Sequence, residues 1–291
     1  TQSSGVHFLP QAGNTVNSFF KADNSLGNTV NAIEGNENTL WFATNGGLYK
    51  IDRNSGEVEI QSTKTGLPHN VINDVIIDQA GRVWIATKGN GIYCVNADEE
   101  NLDYTIDGNP SFEFVSLAVD EIGNIWAGTK EDGVFKFGDN LEYFTDQNGL
   151  KAKYTYAIEI DARGYVWVGH RLGLSRINPE TGNISIYDTE MGFTSDVLSR
   201  SIDDNANGQV IFGTNEGLIL YDSRQARTDT IPPRLSISQL TISDSIYTTK
   251  QDIKLPYGTY KVRFDFIGIN MSNPDQVLYK YKLDGFDDWS N

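Results

Sequence analysis

The sequence predicts an all-β protein in which five and a half β-propeller blades are followed by an incomplete immunoglobulin-like β-sandwich. Three observations predict this fold. A short sequence motif recurs about every 42 residues, a period typical of propeller blades. An Asp and a Gly stand at fixed distances before the marker residue of most copies. After residue 230 the repeat gives way to plain alternation of apolar and polar residues.

Tryptophan marks the repeat. Spacings of 43, 42, 41 and 44 residues separate the marker residues Trp41, Trp84, Trp126, Trp167 and Ile211. A Thr follows three residues later in every copy except the fourth, which has His170. Because a single blade cannot bury its faces alone, we expect the Trp side chains to be buried between neighbouring blades in equivalent positions.

The second copy shows the expected order of elements. Residues 73–77 are predicted as the inner strand, 83–87 as the second strand and 91–95 as the third, with an outer strand after them. Residues 78–81 between the first two strands form a tight turn with Asp first and Gly last. The same Asp recurs six residues before Trp at Asp78, Asp120 and Asp161.

The two ends of the chain differ in pattern. Gly5-Val6 matches Gly91-Ile92, so we expect the chain to begin inside a blade of a larger propeller array. Pro232 and Pro233 interrupt any strand ladder and mark a boundary between blades at 1–230 and a sandwich at 231–291. The alternating segments 235–238, 240–242, 260–266 and 278–283 are predicted strands of that sandwich.

Composition excludes several classes of partner. Lys and Arg number 23 against 39 Asp and Glu, a formal charge of −16, which disfavours nucleic acid and anionic membranes. No run of 18 apolar residues is present, and we expect any membrane helix or export signal of a parent protein to lie outside this sequence. Cys94 stands alone, and the three histidines lack zinc-ligand spacing, so no metal, cofactor or catalytic residue is predicted.

Two kinds of loop should open on one face of the propeller, which we call the loop face. Leading loops run into the inner strands at 67–70, 151–154 and 193–196, and hairpin loops join second and third strands at 45–46, 88–90, 130–132, 170–171 and 215–216. They differ between blades, whereas the Asp-x-x-Gly turns of the opposite, turn face repeat. The candidate ligand-binding residues are His69, Asn70, Lys88, Asn90, Lys130, Tyr154, His170, Arg171, Asp196, Asn215 and Glu216.

His170 and Arg171 are the strongest candidates on the loop face. His170 interrupts the repeated Thr at a point where the sequence shows no packing reason. Arg171 could pair with a uronate or sulfate, and Tyr154 could stack on a sugar face. For any single residue, the competing interpretation is an ordinary surface loop.

The repeat resembles a known family. The text at 65–75, 78–87 and 91–93 looks like the two-component regulator propeller repeat, and the tail 279–289 resembles the Y_Y_Y domain. The order of the two is similar to the periplasmic sensor region of Bacteroidetes hybrid two-component histidine kinases. The resemblance implies a ligand-sensing region that recognises an oligosaccharide, controls glycan-utilisation genes and dimerises in the intact sensor, with no enzymatic activity in this fragment.

Two other functions remain open from the sequence. A propeller enzyme, such as a polysaccharide lyase or glycosidase, would need a converging cluster, for which His69, His170, Arg171 and Tyr154 are the available residues. A protein-interaction scaffold would present flat, uncharged loops to a partner.

Overall fold

A computed structural model describes residues 5–8, 17–23, 25–95, 103–104, 112–188, 193, 195–205, 209–222, 234–243, 245–247, 253–269 and 282. The chain divides into two compact units, Thr1–Gln225 and Ala226–Asn291. The described residues form 24 strands and one short 3-10 helix, Asp146–Asn148. None of the described helical segments is long and apolar enough to cross a membrane.

The first unit is a series of antiparallel sheets in chain order. A half-blade precedes five blades. Its strands are β1 (Val6–Phe8) and β2 (Asn17–Phe20). Blade 1 comprises β3 (Val30–Gly35), β4 (Thr39–Thr44), β5 (Gly47–Asp52) and β6 (Val58–Gln61). Blade 2 comprises β7 (Ile72–Ile77), β8 (Val83–Thr87), β9 (Gly91–Cys94) and β10 (Asp103–Tyr104).

The remaining blades repeat this arrangement. Blade 3 comprises β11 (Phe114–Val119), β12 (Ile125–Thr129), β13 (Val134–Phe137) and β14 (Leu141–Phe144). Blade 4 comprises β15 (Ala157–Ile160), β16 (Val166–His170), β17 (Gly173–Ile177) and β18 (Ile184–Asp188). Blade 5 has three described strands, β19 (Val197–Asn205), β20 (Gln209–Thr214) and β21 (Gly217–Asp222). The propeller prediction is confirmed, and the strands of blade 2 agree with their predicted bounds to within one residue.

Apolar clusters between consecutive blades hold the first unit together. Each Trp lies on the second strand of its blade and packs against the next blade, as Trp167 of blade 4 does against Val197 and Phe212 of blade 5. All four Trp side chains are buried, which confirms the predicted equivalence of Trp41, Trp84, Trp126 and Trp167. Burial of apolar surface, aliphatic as well as aromatic, therefore holds consecutive blades together.

The second unit contains a three-stranded antiparallel sheet in the order β23-β22-β24. Its strands are β22 (Arg234–Ile242), β23 (Ser245–Tyr247) and β24 (Val262–Ile269). The two segments predicted at 235–238 and 240–242 are one strand, because a register shift between Ile237 and Gln239 absorbs the break in alternation. Apart from Lys282, the predicted strand at 278–283 and the tail at 279–289 lie outside the described residues.

Candidate ligand-binding face

Blades 2, 3 and 4 share one repeated contact at the turn face. Asp78 begins the turn between β7 and β8, and its Oδ1 accepts hydrogen bonds from the backbone N–H groups of Ala80 and Arg82. Its Oδ2 accepts the indole N–H of Trp84 at 2.9 Å. The same indole bond joins Trp126 to Asp120 at 3.1 Å and Trp167 to Asp161 at 2.8 Å. Each Asp thus shapes a turn and satisfies a buried donor, so this face is fixed by the needs of the scaffold.

The glycines of these turns have a conformational role. Gly81, Gly123 and Gly164 adopt φ values of 78°, 90° and 80°, in the left-handed region that side chains with a Cβ rarely enter. The Asp-x-x-Gly motif is therefore explained by turn geometry. Among the described residues, no group of three His, Cys, Asp or Glu side chains could hold a metal ion.

The repeated Thr at the end of the second strand also belongs to the scaffold. Its hydroxyl donates a hydrogen bond to the carbonyl oxygen of the Gly that opens the third strand. The pairs are Thr44–Gly47 at 2.7 Å, Thr87–Gly91 at 3.0 Å, Thr129–Gly133 at 2.8 Å and Thr214–Gly217 at 2.9 Å. These bonds close the hairpin loops and leave the residues within each loop to vary.

His170, which replaces this Thr in blade 4, is fully buried. Its Nδ1 lies 2.7 Å from the carbonyl oxygen of Tyr154, and its Nε2 lies 2.9 Å from Ser175 Oγ. Since a carbonyl only accepts, Nδ1 carries the proton and Nε2 accepts from the Ser175 hydroxyl. Burial lowers the pKa of His170 to about 4, against a raising contribution from the Tyr154 carbonyl, so the ring is neutral at pH 7.

The expectation that His170 has no packing reason is therefore wrong. Ser175 Oγ also accepts the backbone N–H of Lys151 at 3.0 Å, so the ring and the serine together hold both ends of the leading loop 151–154. The imidazole is long enough to reach this leading loop. The shorter Thr hydroxyl of the other blades bonds within its own hairpin and does not reach so far. His170 positions Tyr154 and does not itself face solvent.

Arg171, the next residue, has the opposite environment. Its side chain is 75% exposed, and its nearest carboxylate is Asp196, with Nε and Oδ2 3.9 Å apart. Asp196 Oδ1 accepts the backbone N–H of Leu172, and the Asp196 N–H donates to Asn215 Oδ1, each at 3.0 Å. Three predicted residues from different loops thus meet between blades 4 and 5. The fourth, Glu216, joins them through Oε2, which accepts the Ser195 hydroxyl at 2.9 Å.

Lys130 and Tyr154 form a second group. The Thr155 hydroxyl donates to the Thr129 carbonyl at 2.7 Å, which places Tyr154 beside the hairpin loop that carries Lys130. Tyr154 is 49% exposed. The Lys130 ammonium is paired with Glu113 at 3.3 Å, so its charge is partly compensated.

A third group lies on blade 2. His69 Nδ1 accepts the backbone N–H of Val71, and Asn70 Oδ1 accepts that of Thr63, so both side chains shape the leading loop. The Val71 carbonyl accepts the backbone N–H of Lys88 at 3.1 Å, which sets the hairpin loop with Lys88 and Asn90 against this leading loop. Lys88 is exposed and has no ion-pair partner within the described part of the chain. The two kinds of loop therefore share one face, as predicted.

The inner strands enclose a feature that the sequence reasoning missed. A cavity of about 510 Å³ lies between them, and its lining includes Asp74 and Arg200. Asp74 is buried and accepts the N–H groups of Val75 and Leu117. Burial raises its pKa to about 6, against the lowering effects of these bonds and of Arg200. Two adjacent polar residues, Asn73 and Asp74, in an inner strand that is apolar elsewhere were the available signal.

Comparisons with known proteins agree with the blade architecture. Residues 66–89 match the family model "Two component regulator propeller". Histidine kinase P4 of Formosa agariphila is 25% identical over 282 residues, which cover 87% of this chain and 20% of that protein. The chain thus spans about a fifth of the length of this curated relative.

Solved structures share the fold. The extracellular domain of a protein named as a hybrid two component system of B. thetaiotaomicron superposes with a TM-score of 0.68 at 20% identity, over 88% of this chain and 36% of that one. Virginiamycin B lyase from Staphylococcus aureus superposes with a TM-score of 0.53 at 15% identity, over 71% of this chain and 73% of that one. The family match covers residues 66–89, which include the first two strands of blade 2.

Proposed function

We propose that this chain belongs to the periplasmic ligand-sensing region of a hybrid two-component sensor histidine kinase. Its ligand is an oligosaccharide, and the intact receptor signals to glycan-utilisation genes. The similarity to a protein named as a histidine kinase and to the extracellular domain of a hybrid two component system supports this role.

The contrast between the two faces of the blades carries the proposal. Turn-face contacts repeat from blade to blade, and a repeated turn cannot discriminate among ligands. The loop face differs in every blade and is held in place by bonds that leave Lys88, Tyr154 and Arg171 exposed. Residues on such loops are free to bind a ligand because the hydrogen-bonding groups of the scaffold beneath them already have partners.

The chemistry of this face favours a sugar with anionic groups. Arg171 is paired only loosely with Asp196, and a uronate or sulfate would offer it a closer, bidentate partner. Tyr154, held by His170 through its own carbonyl, presents an exposed ring for stacking on a sugar face.

The environment of His170 argues against the enzymatic alternative. Superposition on a lyase concerns the fold alone at 15% identity. Of the four residues available for a catalytic cluster, His170 is buried with both ring nitrogens hydrogen bonded, so it is not poised to exchange a proton with a substrate. Binding without chemistry is the function that fits these residues better.

The intact sensor region is proposed to dimerise. In such a receptor a ligand shifts a two-state equilibrium by binding one arrangement more tightly than the other. Sedimentation of the complete region as a monomer, with and without its ligand, would contradict this part of the proposal.

Calorimetric titration of neutral, uronic and sulfated oligosaccharides into the purified protein tests the loop-face assignment. Arg171→Ala should weaken binding of an anionic ligand by about 1.5–3 kcal/mol, the range for a hydrogen bond to a charged group. Arg163→Ala is the matched control, because Arg163 is an exposed arginine on the turn face. Equal effects of the two substitutions, or none for Arg171→Ala, would reject the assignment.

A further inference from the structure

The cavity between the inner strands has a mixed lining. It includes the apolar residues Ile33, whose side chain is half exposed, and Ile76. It also includes the acidic residues Glu159 and Asp203. With a volume of about 510 Å³, the cavity falls within the size range of small-molecule sites.

Arg200 supplies hydrogen-bond donors to this cavity. Its backbone has φ 54°, rare for a residue with a side chain, and its N–H donates to the Tyr156 carbonyl at 2.8 Å. The side chain reaches across to blade 2, where Nη1 donates to the Asn73 carbonyl at 2.5 Å. No acceptor among the described residues takes the other four guanidinium N–H groups.

Asp203 supplies acceptors. Its side chain is exposed to the cavity and has no hydrogen bond or ion pair with any described residue. It does not pair with Arg200, although both line the same space. A ligand placed between them must both donate and accept hydrogen bonds, which hydroxyl groups do.

The charge of the lining restricts the ligand further. Four carboxylates, those of Glu34, Asp74, Glu159 and Asp203, face one guanidinium. An anion would gain a contact with Arg200 but meet repulsion from the four acids. A neutral ring avoids this repulsion, and its hydroxyl groups and C–H face suit the polar and apolar residues of the lining.

We propose that this cavity is a second binding subsite, which takes a neutral sugar ring or similar cyclic polyol. The inference rests on the proposed ligand-sensing role and adds a location and a charge preference distinct from those of the loop face. Arg200 and Asp203 bind the hydroxyl groups, and Ile33 and Ile76 contact the C–H face.

Methyl-resolved NMR of the purified protein, with isotope-labelled isoleucine methyl groups, tests the subsite. The probes are methyl glucoside, glucuronate and glucosamine. Methyl glucoside should shift the Ile33 and Ile76 methyl resonances in a saturable way, whereas glucuronate should not. Asp203→Ala should weaken the methyl glucoside response about tenfold, as loss of an ionised hydrogen-bond partner does. Glu121→Ala, an exposed acid on the turn face, is the matched control.

Arg200→Lys keeps the charge but removes the planar fork, so it should also weaken the response while the protein stays folded. No methyl shift with methyl glucoside, or an equal shift with glucuronate, would overturn the subsite even if Arg171→Ala abolished oligosaccharide binding. Conversely, methyl glucoside shifts that vanish in Asp203→Ala would support the subsite even if Arg171→Ala had no effect. The two proposals therefore fail separately.

Discussion

The turn face and the loop face of the blades differ in how far their side-chain contacts repeat. At the turn face, three Asp residues make the same turn and the same bond to a Trp indole in blades 2, 3 and 4. At the loop face, a backbone hydrogen bond from the hairpin loop to the leading loop also repeats in four blades, but the side chains that these loops carry differ from blade to blade. Uniform contacts identify the scaffold, and we propose that the varied side chains above it bind the ligand.

The largest expected effect tests the scaffold side of this comparison. Trp167→Ala should lower the free energy of unfolding by about 3–5 kcal/mol, the range for truncating a buried large aromatic. Ile211 holds the same position in blade 5 but is only partly buried, so Ile211→Ala should cost less. Chemical denaturation of both variants checks this, and equal losses would deny that packing against the next blade matters.

The second prediction concerns pH and the residue that breaks the Thr repeat. The folded pKa of His170, about 4, lies below the ordinary value of 6.5, so folding selects the neutral ring. The difference amounts to about 3 kcal/mol, fully present above pH 6.5 and lost as pH falls toward 4.

Asp74 acts in the opposite direction over much of the same range. Its folded pKa of about 6 lies above the ordinary 3.8, so its ionisation opposes folding above pH 6 and this penalty disappears as pH falls toward 4. The comparison must therefore be made between wild type and His170→Thr. The difference in their denaturation midpoints should shrink from pH 7 to pH 4.5, and a constant difference would contradict the buried neutral ring.

A smaller effect should separate turn-face carboxylates from exposed ones. Asp161→Ala leaves the buried Trp167 indole N–H without its acceptor and should cost about 1–3 kcal/mol. Asp132 is exposed on a hairpin loop, and Asp132→Ala should change stability by less than about 0.5 kcal/mol. Thermal denaturation of the two variants checks this prediction. Similar melting temperatures would show that the indole hydrogen bond does not contribute to stability.

The smallest effect on stability belongs to the loop face. Arg171→Ala should leave the melting temperature almost unchanged, because the side chain is exposed and its contact with Asp196 is long. A marked loss of stability would show that Arg171 is part of the scaffold.

The repeating features could be predicted from the sequence because each copy checks the others. The strands of blade 2 and the burial of Trp84 follow from a motif that occurs five times, and the Asp-x-x-Gly turns from three of its copies. Departures from the repeat were harder. The exchange of Thr for His170 was visible, but its burial depends on Tyr154 and Ser175, whose positions only the folded blade reveals.

The cavity could not be predicted because it depends on contacts between distant blades. Arg200 donates a hydrogen bond to the carbonyl of Asn73, which is 127 residues away in the chain. No local sequence pattern predicts that contact. The indole bonds were missed for a simpler reason. The spacing of six residues between Asp and Trp is visible in the sequence, but turn formation alone accounts for the Asp, so the spacing does not point to a bond with the indole.

Mapping of the bound oligosaccharide by amide chemical shifts tests the central claim most directly. The account predicts ligand-induced shifts at Lys88, Tyr154, Arg171 and Asn215 on the loop face, with the turn glycines Gly81, Gly123 and Gly164 unchanged. Shifts confined to those glycines and their Asp partners would contradict it, because the ligand would then bind the face on which blades 2, 3 and 4 repeat the same contacts.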